Sequence, residues 1–417
     1  MEQSLVREFF ALFQSELFTF VFKMLLVAAP IWLPIVLTIL VYRLWMRYIR
    51  MKFMSRQESI LLEIRLPPEV TKSPLAMEIF LTSLYQTGTP QNLFDTYIRG
   101  QVPPWFSLEL VSLEGEIHFY IWARKRFKNM IEAQLYAQYP DAEIIEAEDY
   151  THDVYQTTPS LNMWGTYFKL TKADPYPIKT YVDYGLDQET KEEFKIDPMT
   201  STLEYLASLG KGQQAWIQIL IQSHTPRGFK YGNLQRTKDW TVEARAEIEK
   251  IREEATPSVP GAEFPGFPNP TKGQVATIAA IERSISKFAF DTVIRAFYIW
   301  EEEHFDNIAI PGLIGSLRQY SDNDLNGFRL GWFTDTDQYP WQDFRRIRRN
   351  AMERKMLDAY KRRSVFQYPY KNFHIRPFIL TTEELATIFH LPGTVAQTPS
   401  LPRAKSKRAE APSNLPR

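Results

Sequence analysis

The pattern of hydrophobic and polar positions divides the chain into one unbroken apolar run and a long alternating body. Residues 24–42 carry no charged side chain, close to the length an α-helix needs to cross the ~30 Å hydrocarbon core of a bilayer. Pro30 and Pro34 predict a kink that membrane helices tolerate. Arg43, Arg47, Arg50, Lys52 and Arg56 follow at once, and Trp32, Tyr42, Trp45 and Tyr48 are placed as interfacial aromatics are. A cleaved signal peptide would have a shorter apolar core, starting earlier, and a small-residue cleavage site. The pattern therefore predicts a transmembrane helix over 24–42 and a basic juxtamembrane segment over 43–57. The flank before it holds only Glu2, Arg7, Glu8, Glu16 and Lys23, so the positive-inside rule predicts a single-pass inner-membrane protein with its N-terminus outside and its body cytoplasmic. Residues 1–23 are apolar and aromatic. They predict an interfacial segment or a second short span, which would move the N-terminus but not the body.

Beyond residue 57 the periodicity changes repeatedly between two and 3.6. A strand is predicted over 59–66. A helix follows from Pro74, with Ser73 as N-cap and Met77, Phe80, Leu81 and Leu84 on one face. Residues 105–112 and 116–124, joined by Leu113-Glu114-Gly115, predict a β-hairpin. A helix over 124–139 carries Phe127, Met130, Ile131, Leu135 and Tyr136 inward, and a strand covers 142–149. The order β-α-β-β-α-β is that of a ferredoxin-like domain, expected over 58–150. Residues 160–392 repeat parts of this grammar. Strands are predicted at 165–172, 213–224, 290–300, 328–335 and 374–380. Helices are predicted at 199–209 (stopped by Gly210), 241–255, 273–288 (Val275, Ile278, Ile281 and Ile285 inward), 310–321, 343–363 and 381–389 (Thr381 or Thr382 as N-cap). The expected fold class is α+β: an N-terminal transmembrane helix, then one or two ferredoxin-like units, the second widened by an insertion over 229–272. Residues 393–417 are Pro-rich, polar and basic, and predict a disordered tail.

Composition narrows the function classes. Lys+Arg and Asp+Glu are both 49 in 417 residues, so the whole body is not the basic surface of a general nucleic-acid binder. There is no cysteine, which removes disulfides, thiolate metal sites and cysteine nucleophiles together and suits a cytoplasmic body.

The usual chemical motifs are absent. Gly210-Lys211 is the nearest approach to a phosphate-binding loop, but Tyr205 stands where its first glycine belongs and Gly212 where its Ser/Thr belongs. No two of the six histidines are spaced i, i+4 as in a zincin helix. Glu301, Glu302, Glu303, His304 and Asp306 read better as a solvated connection than as a metal site. Asp322, Asp324, Asn326 and Gly327 match the opening of a calcium loop, yet Phe333 takes the closing glutamate's position. No catalytic, cofactor-binding or metal residue is predicted. The basic helix over 343–363 is the exception to this blandness. Arg345, Arg346, Arg348, Arg349, Arg354, Lys355, Arg362 and Arg363, with Lys361, outnumber Asp343, Glu353 and Asp358. The plain reading is a solvated helix face. The functional readings are contact with DNA phosphates, anionic lipid or an acidic partner subunit. Arg403, Lys405, Lys407 and Arg408 in the tail offer the same chemistry.

The run over 378–393, with Thr381-Thr382-Glu383-Glu384-Leu385-Ala386 and Phe389-His390-Leu391-Pro392-Gly393, then Thr398-Pro399 and the basic tail, resembles a segment of bacterial conjugation-type ATPases. These are the membrane-linked HerA/FtsK-class motors of type IV secretion and DNA transfer, in which such a segment leads into the motor domain. Residues 58–66, 73–86 and 105–150 resemble the uncharacterised N-terminal domain that precedes those motors. The chain has no Walker A or Walker B segment, so the resemblance does not carry ATPase activity over to it, and a non-enzyme is expected. The resemblance implies a membrane-anchored scaffold or docking subunit of a conjugative or type IV secretion-like apparatus. It would work at the bilayer with a separate P-loop ATPase or secretion subunits, as a homo-oligomer where the motor is a ring. The alternative is a membrane-tethered nucleic-acid-binding protein using the basic helix to hold DNA. A membrane-bound enzyme of unfamiliar type stands behind both.

Overall fold

The computed structural model describes residues 16–66, 72–85, 92–152, 154, 161–187, 196–225, 239–256, 269–334, 343 and 346–393. The chain opens with α1 (Glu16–Ser55), β1 (Ser59–Arg65), α2 (Leu75–Leu84), α3 (Leu93–Tyr97), β2 (Trp105–Leu113), β3 (Glu116–Arg124), α4 (Lys128–Gln138) and β4 (Glu143–Glu146). It continues through β5 (Leu161–Leu170), α5 (Pro198–Ala207), β6 (Gln213–Ser223), α6 (Trp240–Glu254), α7 (Lys272–Ile285), β7 (Ala289–Glu301) and α8 (Ala309–Gly315). It ends in β8 (Phe328–Phe333), α9 (Ile347–Lys361), β9 (Phe378–Thr381) and α10 (Thr382–Ile388).

Two compact units emerge, residues 1–56 with 91–101 and the remainder. The first is built on α1, 40 residues in one helix, ~60 Å at 1.5 Å per residue. The expected divisions at 23 and 42 do not interrupt it. Pro30 and Pro34 each remove one backbone donor, and the helix carries on past both. α1 is long and apolar enough to cross a membrane. Residues 1–15 of the expected N-terminal segment lie outside the described residues.

In the second unit all the strands form one antiparallel sheet, in the order β4-β1-β3-β2-β6-β7-β5-β8, with β9 added beside β7. The mixed α+β class therefore holds, but the expected domains at 58–150 and 160–392 share one sheet rather than standing as separate bodies. The seam is β2 against β6, nine residues in register from Trp105↔Gln222 to Leu113↔Gln214. Strands β4-β1-β3-β2 on one side of it are matched in order by β8-β5-β7-β6 on the other. β7 is the longest strand because it has two neighbours along one edge: β5 pairs its residues 295–301 and β9 its residues 289–292. The β2–β3 turn has Glu114 at φ 53° and Gly115 at φ 91°, the pair of positive values that a two-residue hairpin turn matching strand twist requires.

The two sheet faces differ in chemistry. One carries Leu62, Ile64, Phe119, Ile121, Leu108, Leu110, Ile217, Ile219 and Ile294, all buried, beneath the helices. Phe127, just before α4, meets Phe106 with ring centroids 5.4 Å apart, and Phe389, just after α10, meets Phe119 at 5.8 Å. The other face carries Trp122, Trp216 and Phe297 together with charged side chains, and α9 closes it: Tyr360 packs on Trp216 at 5.3 Å and Phe297 at 5.2 Å. α6 and α7 bury Trp240, Ala244, Ile248, Ile251 and Ile281 against Ala289 and Ile379. Val275, expected to point inward with Ile281, is 52 % exposed. Ile278 and Ile285 pack partly buried against the same cluster as Ile281, and the fully buried positions of α7 also include the small side chains Thr277, Ala280 and Ser284.

Candidate functional site

The eight basic residues expected to contact a partner do not act together. Arg345 and the tail cations Arg403, Lys405, Lys407 and Arg408 lie outside the described residues. Arg346, Arg348, Arg354, Lys355 and Arg362 are exposed on or beside α9. Arg362 is engaged by Asp358 one turn earlier, at 2.9 Å. Arg349 is half-buried and its Nε donates to Glu353 Oε1 at 2.8 Å. Arg363 is the correction: its side chain is 1 % exposed, so it contacts no outside partner. The helix covers 347–361 rather than 343–363.

Arg363 instead lies at the centre of a buried charge network on the α9 face of the sheet. The strand register lines up Glu63, Tyr120, Glu109, Gln218, Arg295 and Tyr167 as one transverse row across β1, β3, β2, β6, β7 and β5. Every member of the row is buried. Arg363 Nε and Nη2 donate to Glu109 at 3.0 and 3.1 Å, and its Nη1 and Nη2 also reach Asp149. Glu109 accepts further from Ser107 Oγ and Gln218 Nε2, both at 2.6 Å, and from Tyr150 OH at 2.9 Å. Because the Tyr150 proton is used there, the Tyr360 hydroxyl donates to Tyr150 across 2.7 Å. Gln218 Oε1 accepts from Arg295 Nε at 2.6 Å, and Arg295 Nη2 caps Ala359 O at 2.8 Å. Arg363 thus faces both carboxylates while Arg295 is held by Gln218 and a backbone carbonyl, and pairing with hydrogen bonding is the condition under which buried charge is tolerated. Burial opposes ionisation of Asp149, but its bonds with Arg363 hold its pKa below the ordinary carboxylate range. Burial drives the Tyr150 and Tyr360 hydroxyls well above theirs, so both stay protonated donors. The network stitches β2 to β6 and β7 and locks the end of α9 onto the seam.

A second cluster surrounds α10, which is buried over its whole length. Thr381 caps the helix and Glu384 returns the bond to Thr381 N at 2.8 Å, a capping box. Glu384 also accepts from Ile178 N at 2.9 Å. Burial raises its pKa from the ordinary 4.5 to about 7. Beside it Glu383 accepts from Thr180 Oγ1 at 2.6 Å and pairs with Arg283 at 3.0 Å. Glu78 of α2 holds Lys287 Nζ at 2.7 Å and Tyr181 OH at 2.7 Å. One buried oxygen of Glu383, Oε2, has no hydrogen-bond partner, and Lys287 Nζ lies 3.9 Å away. Burial raises the Glu383 pKa. His390 ends the segment: Nδ1 donates to Ala386 O at 2.9 Å and Nε2 to Asp197 Oδ2 at 3.1 Å. Burial works against its charge, but Asp197 prevails and raises its pKa. Since Asp197 is also the N-cap of α5, His390 ties α10 to α5.

The remaining candidates have less geometry. His224 Nδ1 meets Asp291 Oδ1 at 2.6 Å while its buried Nε2 lacks a partner. Burial lifts the pKa of nearby Asp174 from the ordinary 3.8 to about 6. Glu301, Glu302, Glu303, His304 and Asp306 are exposed. In the calcium-like loop Asn326 is buried and its Oδ1 accepts from Lys172 N at 2.8 Å and Gly327 N at 3.0 Å, the bonds of a polar turn. Among the described residues no group of three or more His, Cys, Asp or Glu side chains is arranged to hold a metal ion. Sequence reading passed over Glu109, Gln218 and Arg295. The signal available was a polar residue flanked by apolar ones near the centre of each of three strands, where burial demands a partner.

A family model described as a domain of unknown function, DUF8128, matches residues 51–403, from the last turn of α1 through the whole sheet and beyond α10. No curated protein matches the chain.

Proposed function

The chain belongs to the DUF8128 family, and we propose that it is a membrane-anchored cytoplasmic scaffold or docking subunit of a conjugative or type IV secretion-like transfer apparatus. It works with a separate P-loop ATPase or with secretion subunits. The observation that carries this reading is the arrangement around α9. The network inside ties the sheet into one rigid platform, and the cations Arg346, Arg348, Arg354 and Lys355 face outward from its cover. α1, with its basic flank, sets that platform at the inner membrane, N-terminus outside, by the positive-inside rule. Thr382 to Leu391, in the segment that resembles the domain preceding conjugation motors, are buried and act in the platform as a structural lock. The strand orders β4-β1-β3-β2 and β8-β5-β7-β6 support a finer description as two ferredoxin-like units fused through β2 and β6. On this reading no residue is a catalyst, and the platform assembles into a homo-oligomer where its motor is a ring.

Purification of the full chain from its native membrane in detergent tests the reading: a P-loop ATPase or a membrane assembly subunit is expected to accompany it. Reversing Arg346, Arg348 and Lys355 to Glu together should release that partner and shift stability by only about ±0.5 kcal/mol for each surface substitution away from buried features. Recovery of neither protein counts against the proposal. The exposed row on α9 also favours a second reading, nucleic-acid binding. In that case the same variant loses salt-dependent DNA retention, and the slope of log affinity against log salt falls with the phosphate contacts removed.

A further inference from the structure

Residues 92–101, between α2 and β2, cluster with α1 rather than with the sheet. Trp45 Nε1 donates to Tyr97 O at 2.8 Å, and the Tyr42 and Tyr97 ring centroids are 6.2 Å apart. Gly100, at φ +67°, lies against the backbone of Ile49 so closely that a Cβ there would sit 2.5 Å from the Ile49 carbonyl carbon. These contacts fix a direction. From Gly100 back to Tyr97 the segment climbs α1 from Ile49 to Trp45 and Tyr42, ~6–10 Å toward the uncharged run. Thr96 and Asp95 face inward, 1 % and 8 % exposed. Leu93, Phe94 and Ile98 face outward at 51 %, 55 % and 55 %. Arg99 pairs with Asp95 at 3.0 Å and lies over the Phe94 ring at 5.3 Å. At the same level α1 exposes Leu44, Trp45 and Tyr48 among Arg43 and Arg47, the aromatic and basic mixture of a headgroup boundary.

We propose that residues 92–99 are a second membrane contact: α3 lies in the interface of the bilayer crossed by α1, with Leu93, Phe94 and Ile98 inserted among the acyl chains of anionic phospholipids. This rests on the reading of α1 as a span. Two contacts would restrain the rotation and tilt of α1 that a single span leaves free.

The absence of cysteine makes the test clean. Single-cysteine variants Phe94→Cys and Ile98→Cys of the full chain are labelled with an environment-sensitive fluorophore and reconstituted into phosphatidylcholine/phosphatidylglycerol vesicles. Val27→Cys in the apolar run and Glu249→Cys at an exposed position of α6 serve as references. The label at 94 and at 98 should be quenched several-fold more by lipids brominated on their acyl chains than the label at 249, and should resist aqueous iodide as the label at 27 does. If 27 is lipid-quenched while 94 and 98 behave like 249, the interfacial contact is overturned and the span stands. If 94 and 98 are shielded from both quenchers, protein covers them and the contact is equally overturned. If 27 itself is not lipid-quenched, the span fails and the proposal fails with it.

Discussion

Arg363 occupies a backbone position that ordinarily belongs to glycine. Ser364 N bonds Ala359 O at 3.0 Å and Arg363 N bonds Tyr360 O at 2.9 Å, the paired bonds of a Schellman C-cap with Arg363 at its left-handed residue, φ 46°. An arginine there is strained by about 1–2 kcal/mol, and its grip on Glu109 and Asp149 offsets that cost. Arg363→Gly separates the two effects. It relieves the backbone but strands the buried Glu109 and the half-buried Asp149, so a net loss of about 3 kcal/mol is expected, read as a lowered midpoint in chemical unfolding of the detergent-solubilised chain. An unchanged or raised midpoint would show that strain dominates. Glu384 gives a prediction in pH. Its folded pKa of about 7 lies above the ordinary 4.5, so the folded state favours the protonated form. Its contribution is complete below about 4.5 and is lost as pH rises toward about 7. Glu384→Gln should flatten the stability profile across that window, even though the amide, with one acceptor fewer, lowers stability overall. A slope that persists unaltered would assign the titration elsewhere.

At the scale of elements, local signals succeeded where they were self-contained. Met77, Phe80, Leu81 and Leu84 are all fully buried on α2, because an amphipathic stripe needs only a core to face. Thr381 caps α10 and the Leu113-Glu114-Gly115 turn closes its hairpin, because caps and turns are set by neighbours in sequence. Gly115 is held twice, by its φ of 91° and by Leu209 O, which a Cβ would meet at 2.7 Å. Gly115→Ala should therefore cost more than the ~1 kcal/mol of an ordinary glycine position, measured as a fall in thermal midpoint; a neutral result would show that the α5–β6 connection yields. Local signals failed where a distant partner decides. Gly210 does not stop α5, which ends at Ala207 with Ser208 N bonded to Glu204 O and Tyr205 O. The sequence pattern predicts the basic helix through Arg363 because nothing in it announces a glycine-like conformation at an arginine.

For the molecule as a whole, the β2–β6 seam has a thermodynamic consequence. Each half contributes strands to one ladder, and Glu109, Gln218, Arg295 and Arg363 cross the seam with charge that neither half can satisfy alone. Unfolding one half would leave buried ions and a bare nine-residue strand edge on the other. The sheet unit should unfold in one cooperative step, with far-UV and tryptophan signals following the same curve. Two resolved transitions would indicate that the halves are independent.

The amino-acid pattern alone determined the long apolar helix with its basic flank, the α+β class, most strands and helices, and the absence of familiar motifs. All of these depend on periodicity, composition or short-range spacing. Tertiary structure decided that the two halves share one sheet, and that Arg363 is an internal pin while Arg346, Arg348, Arg354 and Lys355 remain outside. It also decided that the Thr381-to-Leu391 segment is a buried lock and that α3 stands beside α1. The reason is physical: whether a charge faces water or a partner, and whether a strand edge is free or paired, depends on residues a hundred or more positions away, and no local pattern carries that information.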